Sequence, residues 1–395
     1  MKKFVILLLV VVLAFSGFLT WLSYQPDSHM ALTNEEAPAY AGTMDEPVVR
    51  TLDYDAFAAL HADNEVVLSI YGEEVLWEDY YAWTYMNAKQ VEAFFQQMAL
   101  YYGMAADWEG SIGDGSGMTY AQLPVAAAED TLLRVIAIDK MAADKGVELS
   151  EESKAALEDE ALAVDALGEG ATVEELVDAL AEMHMSLDTY KRISRANFLY
   201  TDILNVEFGA DCEKVTDEEC GAWLEEQGYM AANHILFIIN DKATGETVDE
   251  ATAAEKKAKA DEVYAELSAI TDVEELLARF KELKEEYDED TGKVSYPDGY
   301  TFTSGTMVSE FEDTVLALED YQVSEPVMST YGWHVIMRVP LGTENLLTDS
   351  DGNLVPASWL YAQQKLGKEL ESYMDVNLIE YAEGFETPDL TKFIK

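Results

Sequence analysis

Two histidines stand near the head of short apolar runs, His234 in Asn233-His234-Ile235-Leu236-Phe237-Ile238-Ile239 and His334 in Tyr331-Gly332-Trp333-His334-Val335-Ile336-Met337. Both runs read as strands. An imidazole changes charge near neutral pH and suits proton exchange or pH-tuned hydrogen bonding, whereas on a single strand it reads as a core residue with its hydrogen bonds satisfied. Between the two lies Phe302-Thr303-Ser304-Gly305-Thr306-Met307-Val308-Ser309-Glu310-Phe311-Glu312. Met307 and Phe311 are spaced i, i+4, which puts both side chains on one face of a helix. That face is either the core side of its helix or an apolar slot for a ligand.

Other reactive residue types do not assemble into motifs. Only Cys212 and Cys220 occur, without a Cys-x-x-Cys spacing, and Cys220 falls in a helix that Thr216-Asp217-Glu218-Glu219 opens with a capping-box pattern. A disulfide and a pair of buried apolar thiols both fit. Asp349-Ser350-Asp351-Gly352-Asn353 begins like a calcium loop, but Leu354 and Leu360 stand at its sixth and twelfth positions, so it reads as a turn. Residues 113–117 lack the Lys-Ser/Thr of a phosphate loop. His29, His61 and His184 are isolated, and no zinc site, metal or cofactor is expected.

The elements that must position these residues follow from periodicity. Residues 66–76 read as two short strands turning at Gly72, followed by an aromatic helix from Trp77 toward Tyr102 with Tyr80, Tyr81, Trp83, Tyr85, Phe94, Phe95 and Met98. Helices are expected at 122–145, 150–164, 172–181 and 186–207, the last capped by Ser186. Beyond 230 the pattern changes: a strand at 232–239, helices at 250–268 and 272–286, an Asp/Gly-rich loop at 288–299, a helix at 308–319 and strands at 326–329 and 333–339. After Pro340 a hairpin around Asp351-Gly352 and a helix over 356–383 are expected. The fold class is α+β, a mainly helical domain with an inserted small antiparallel sheet flanked by helices.

The chain of 395 residues carries 25 basic and 77 acidic side chains, a formal charge of −52, and 49% hydrophobic residues. It is long enough for several cores. Its field repels nucleic acid, which excludes that partner class. Lys2-Lys3 precedes an apolar run over residues 4–22, about the length that spans a bilayer. Apolar residues continue past the Ala14-Phe15-Ser16 cleavage candidate, which favours an uncleaved single-pass anchor with the bulk of the chain outside the cytoplasm. Residues 25–47, with Pro26, Pro38 and Pro47, read as a linker.

The order of these segments resembles the parvulin family of peptidyl-prolyl cis-trans isomerases, in particular extracytoplasmic foldases in which a parvulin domain interrupts a helical chaperone domain. The resemblance implies domains at 1–24 (anchor or signal), 25–47 (linker), 48–230 (helical, chaperone-like), 231–340 (isomerase) and 341–395 (hairpin and helix packing on the chaperone domain). It implies a proline pocket of Phe302, Met307 and Phe311, with His234 and His334 on adjacent strands below it. Asp290 in Tyr287-Asp288-Glu289-Asp290 falls at the position of a third polar member, Cys or Asp, and Ser329 falls near a hydroxyl of the same network. Where the family has a Gly-Gly-x-x-Gly turn, this chain has Ser295-Tyr296-Pro297-Asp298-Gly299-Tyr300. The stretch 240–246 lacks phosphate-binding arginines, so phosphoserine-proline is not an expected substrate. No cysteine precedes Cys212, so a lipid on an N-terminal cysteine is not expected.

The function so implied is isomerisation of Xaa-Pro bonds and chaperoning of unfolded secreted polypeptides at the cell membrane, with a homodimer left open. Two alternatives stand beside it: a non-catalytic holdase with a degenerate parvulin domain, and an acidic surface adhesin or structural protein.

Overall fold

The computed structural model of the protein describes residues 50–102, 107–113, 115–240, 245, 247–350 and 352–395. The expected anchor (1–24) and linker (25–47), Asp351 of the expected turn, and residues 241–244 and 246 lie outside the described residues. Among the described residues no helix is long and apolar enough to cross a membrane.

The first unit begins with α1 (Tyr54–Ala58), β1 (Val66–Ile70), β2 (Glu73–Leu76) and α2 (Trp77–Tyr102). Tyr71 and Gly72 both take positive φ, 54° and 80°, which closes the two-residue hairpin between β1 and β2. The aromatic stripe of α2 is core: Trp77, Tyr80, Tyr81, Trp83, Tyr85 and Phe95 are buried, and Phe94 is exposed. In one core with it lie α3 (Leu123–Lys145), α5 (Asp159–Leu167), α6 (Val173–Ala181) and the start of α7 (Leu187–Phe208) through Leu133, Leu162, Leu176 and Tyr190, while the short α4 (Glu151–Ala156) precedes α5. Each such fully buried large side chain contributes about 1.5–3 kcal/mol of transfer free energy. The single helix expected over 150–164 is two, because the chain breaks at Leu157 and Glu158. Ser186 Oγ accepts from the Thr189 N–H at 3.2 Å, capping α7.

The second unit, Glu207–Lys365, holds α8 (Asp217–Glu226), β3 (Tyr229–Ile238), α9 (Glu250–Leu267), α10 (Val273–Tyr287), β4 (Tyr300–Thr303), α11 (Ser309–Ala317), β5 (Val327–Met328), β6 (Gly332–Val339), β7 (Leu346–Thr348) and β8 (Leu354–Pro356). It contains the 231–340 segment expected from sequence together with flanking residues on both sides. Asp217 accepts from the Thr343 N–H at 2.9 Å, and Trp223 Nε1 donates to Gln364 Oε1 at 2.7 Å, so α8 and the hairpin segment belong with it. Cys212 and Cys220 are buried free thiols, and burial pushes Cys220 up to about 11.

An antiparallel sheet, ordered β4-β3-β6-β5, divides this unit. Successive strand residues face opposite sides. One face sends Ile235, Phe237, Val335 and Met337 into α9 and α10, against Val263, Leu267, Leu276 and Phe280. The other sends Met230, Ala232, Phe302 and Ile336 against Phe311 and Val315 of α11.

From α12 (Ala357–Glu371) the chain returns to the first unit, which resumes over Leu366–Lys395. The helix expected to 383 stops at Glu371. Asp375 accepts from the Asn377 N–H at 2.9 Å in a tight turn, and Ile379–Tyr381 form β9, which pairs antiparallel with β1 in a β2-β1-β9 sheet.

Gly332 is a point where the sheet tolerates no side chain: a Cβ there would lie 2.0 Å from the Phe237 carbonyl oxygen. Gly332→Ala is expected to destabilise the second unit by about 2–4 kcal/mol. Hydrogen exchange should show lost amide protection in β3 and β6 and unchanged protection in α2 and α3.

Candidate functional site

Register places the histidines. In the β3–β6 ladder His234 pairs with Ile336 and Leu236 pairs with His334, so the two are diagonal neighbours on the face that carries Phe311. Their rings lie 5.2 Å apart at 82°, and Phe311 stands edge-on to both, at 5.3 Å from His234 and 5.7 Å from His334.

Asp290 reaches His234 because the segment after α10 runs along β3. Asp288 Oδ1 accepts from the Leu236 N–H at 2.9 Å, and the Glu289 N–H donates to the Leu236 carbonyl at 3.0 Å. Asp290 Oδ2 then lies 3.2 Å from His234 Nε2, at the edge of hydrogen-bonding geometry. Oδ1 accepts from the Gly292 N–H at 2.9 Å, and Oδ2 accepts from the Tyr300 hydroxyl at 2.5 Å. Burial alone would raise this carboxyl. His234, the Tyr300 hydroxyl and the Gly292 N–H outweigh burial and hold it well below the usual carboxylate range.

His334 lies deeper. Its Nε2 is 2.7 Å from Ser329 Oγ, which also accepts from the Tyr331 N–H at 3.1 Å, so the ring is tied to the β5–β6 turn through Ser329. Burial first, and His234 second, push His334 down to about 3, only partly offset by Asp290.

The apolar residues form the other half of the site. Phe302 on β4 and Phe311 on α11 are each 3% exposed with ring centroids 5.8 Å apart, and the partly buried Met307 packs against the same cluster. Glu312 fixes the loop that presents Met307: its carboxylate accepts from the Gly305 N–H at 3.0 Å and the Met307 N–H at 2.7 Å. These bonds hold it below the usual glutamate range.

The structure therefore gathers His234, His334, Asp290, Ser329, Phe302, Met307 and Phe311 in one region. Sequence reasoning missed three neighbours. Tyr300 carries no sequence signal, since it sits in a turn expected to be glycine-rich. Glu312 is legible in hindsight as an acid in the first turn of α11, where N–H groups lack partners. Lys284 is buried, and its Nζ donates to Asn233 Oδ1 at 2.6 Å and to the Pro297 carbonyl at 2.8 Å, anchoring the altered turn. Gly299 in that turn has φ +111°, and a Cβ on it would meet the Ala232 carbonyl at 2.5 Å.

Burying a neutral histidine has a linkage consequence. The unfolded chain takes up the His334 proton below its ordinary value of 6.5, while the folded unit resists down to about 3. Stability must then fall with acidification across that window, by at most about 1.4 kcal/mol per pH unit. Asp290, whose carboxyl is held down in the folded unit, adds acid sensitivity only below its ordinary value of 3.8. Urea unfolding between about pH 6.5 and 4.5 should show this slope in wild type and a shallower one in His334→Gln.

Residues 234–339 match the rotamase family of the PPIC-type PPIASE domain. Foldase protein PrsA 1 of Bacillus cereus is 37% identical over 108 residues, 27% of this chain and 29% of that protein. Foldase protein PrsA of Oceanobacillus iheyensis is 27% identical over 220 residues, 55% of this chain and 61% of the relative. The chain thus aligns with less than two thirds of either relative's length. Among solved structures, PrsA from Bacillus subtilis superposes with a TM-score of 0.24 at 17% identity, covering 79% of this chain and 91% of that one. The parvulin NmPin of Nitrosopumilus maritimus gives 0.19 at 26% identity, covering 28% of this chain and 96% of its own. Residues 234–339 are a rotamase domain of the PPIC type, in a chain whose homologues are foldases.

Proposed function

We propose that this chain is a foldase in which the Glu207–Lys365 unit isomerises Xaa-Pro bonds of unfolded secreted polypeptides, while the helical unit holds the same clients. The observation that carries the reading is the apolar cluster of Phe302, Met307 and Phe311, with Phe311 edge-on to His234 and to a buried, neutral His334, and an ionised Asp290 beside His234. Rotation about the amide faces a barrier on the order of 20 kcal/mol and breaks no covalent bond. A catalyst has only to bind the twisted amide better than the planar forms. An apolar slot grips the proline ring and strips water from the amide, which removes hydrogen bonds that favour the planar, charge-separated form. The fixed polar groups beneath then act on the carbonyl without reorganising.

For client holding, the helical unit offers a cleft of about 910 Å³ whose lining includes Met118, Val125, Ala126, Pro388 and Leu390. The apolar run at residues 4–22 supports attachment to the membrane as a single span, with the bulk of the chain outside the cytoplasm. A holdase without turnover is the second reading, favoured by Tyr296 and Pro297 in the turn at the edge of the site and by the low exposure of the two phenylalanines.

In a protease-coupled assay on a Xaa-Pro peptide, the Met307→Ala/Phe311→Ala variant should lose about 10-fold or more in kcat/KM, and His234→Ala less. Suppression of client aggregation should survive the double variant. Equal activity in wild type and the folded double variant would sink the slot assignment, and an inactive wild type that still suppresses aggregation selects the holdase. Fractionation with N-terminal sequencing tests the anchor, which a soluble form beginning near residue 17 or 22 would contradict.

A further inference from the structure

The turn before β4 departs most from the family resemblance, and it delivers the side chain closest to Asp290. Tyr300 shares the site face with Phe302, since Ala232 pairs with Tyr300 and Met230 with Phe302 in the β3–β4 ladder. Its ring lies 4.8 Å from Tyr296 and 5.8 Å from His234, and its hydroxyl donates to Asp290 Oδ2, the same oxygen that faces His234 Nε2. The space below is reserved for that hydroxyl. A Cβ on Gly292 would lie 1.9 Å from the Tyr300 oxygen, while the Gly292 N–H holds the other carboxylate oxygen.

We propose that Tyr300 is a positioning residue of the prolyl site, its hydroxyl fixing the Asp290 carboxylate against His234 so that the charge beneath the slot keeps one place during amide rotation. A carboxylate held by one N–H and an imidazole at the edge of hydrogen-bonding geometry can rotate. A charge-assisted donor on Oδ2 removes that freedom. The turn that replaces the family's glycines thus supplies a polar group to the site: Lys284 ties its Tyr296 and Pro297 carbonyls, and Gly299 brings the backbone onto Ala232. The proposal rests on the foldase reading, and its test separates the two.

Two variants remove the contact by different routes. Tyr300→Phe deletes the hydroxyl, and Gly292→Ala intrudes into its place. In the full chain, both should lower kcat on a Xaa-Pro peptide by about 5–10-fold with KM nearly unchanged, because the slot of Phe302, Met307 and Phe311 is untouched. A purely structural role would not produce that split. The second readout is the carboxyl carbon of Asp290 by NMR during acidification. The other titratable groups around it, His234, His334, Asp288, Lys284 and Lys293, are unaltered in sequence in both variants. Its titration should move upward by about one unit in each variant. An unmoved titration with unchanged kcat in folded Tyr300→Phe overturns the proposal, and if that variant does not fold, the same outcome in Gly292→Ala does so. If wild type fails to accelerate exchange, the foldase reading falls and the titration alone decides: a shift supports Tyr300 as the residue that sets Asp290, and none overturns it.

Discussion

Antiparallel pairing of β3 with β6, in the register that sets His234 opposite Ile336 and Leu236 opposite His334, puts both histidines on one face of the sheet, the face on which the rest of the candidate site assembles. A one-residue slip of β3 would send His234 into the α9–α10 core and bring Ile235 to the site face, and the same slip of β6 would exchange His334 for Val335. Both faces are filled by dedicated partners, so the slip is opposed twice. Gly332 locks one end of the ladder by permitting the Phe237 carbonyl to approach, and Asp288 ties the free edge of β3 at Leu236.

On that frame the unit keeps two kinds of polar group in one apolar surrounding. His334 is uncharged because burial penalises the imidazolium, and its hydrogen bond with Ser329 serves the neutral ring. Asp290 stays charged because the His234 ring, the Tyr300 hydroxyl and the Gly292 N–H converge on it. A fixed negative charge beside a neutral, oriented imidazole gives the slot a constant field, which suits a reaction in which an amide dipole changes and no proton must move.

The main elements were legible where a local pattern dominates. Met307 and Phe311 declared their shared face by spacing, Thr216 and Ser186 declared helix starts by capping chemistry, and the aromatic stripe after Trp77 declared a long core helix. What was illegible depends on contacts distant in the chain. The helix expected through 383 ends early because Ile379–Tyr381 finds β1 some three hundred positions away, and no local signal names that partner. Tyr300 looked like a disturbance of a glycine turn because the oxygen it meets, on Asp290, is placed by the β3 edge. The packing of Asp217 and Trp223 on Thr343 and Gln364 was likewise illegible, because those partners lie more than a hundred positions away.

The central claim is that the cluster over His234 and His334 turns over prolyl amides. Two-dimensional exchange NMR on a Xaa-Pro peptide with the full chain at substoichiometric concentration measures this without a coupling enzyme. The account predicts cis–trans exchange cross-peaks at mixing times of a second or less, where the uncatalysed peptide, isomerising over tens of seconds or more, gives none. Exchange no faster than in the peptide alone, with the protein folded and the peptide bound, would contradict it.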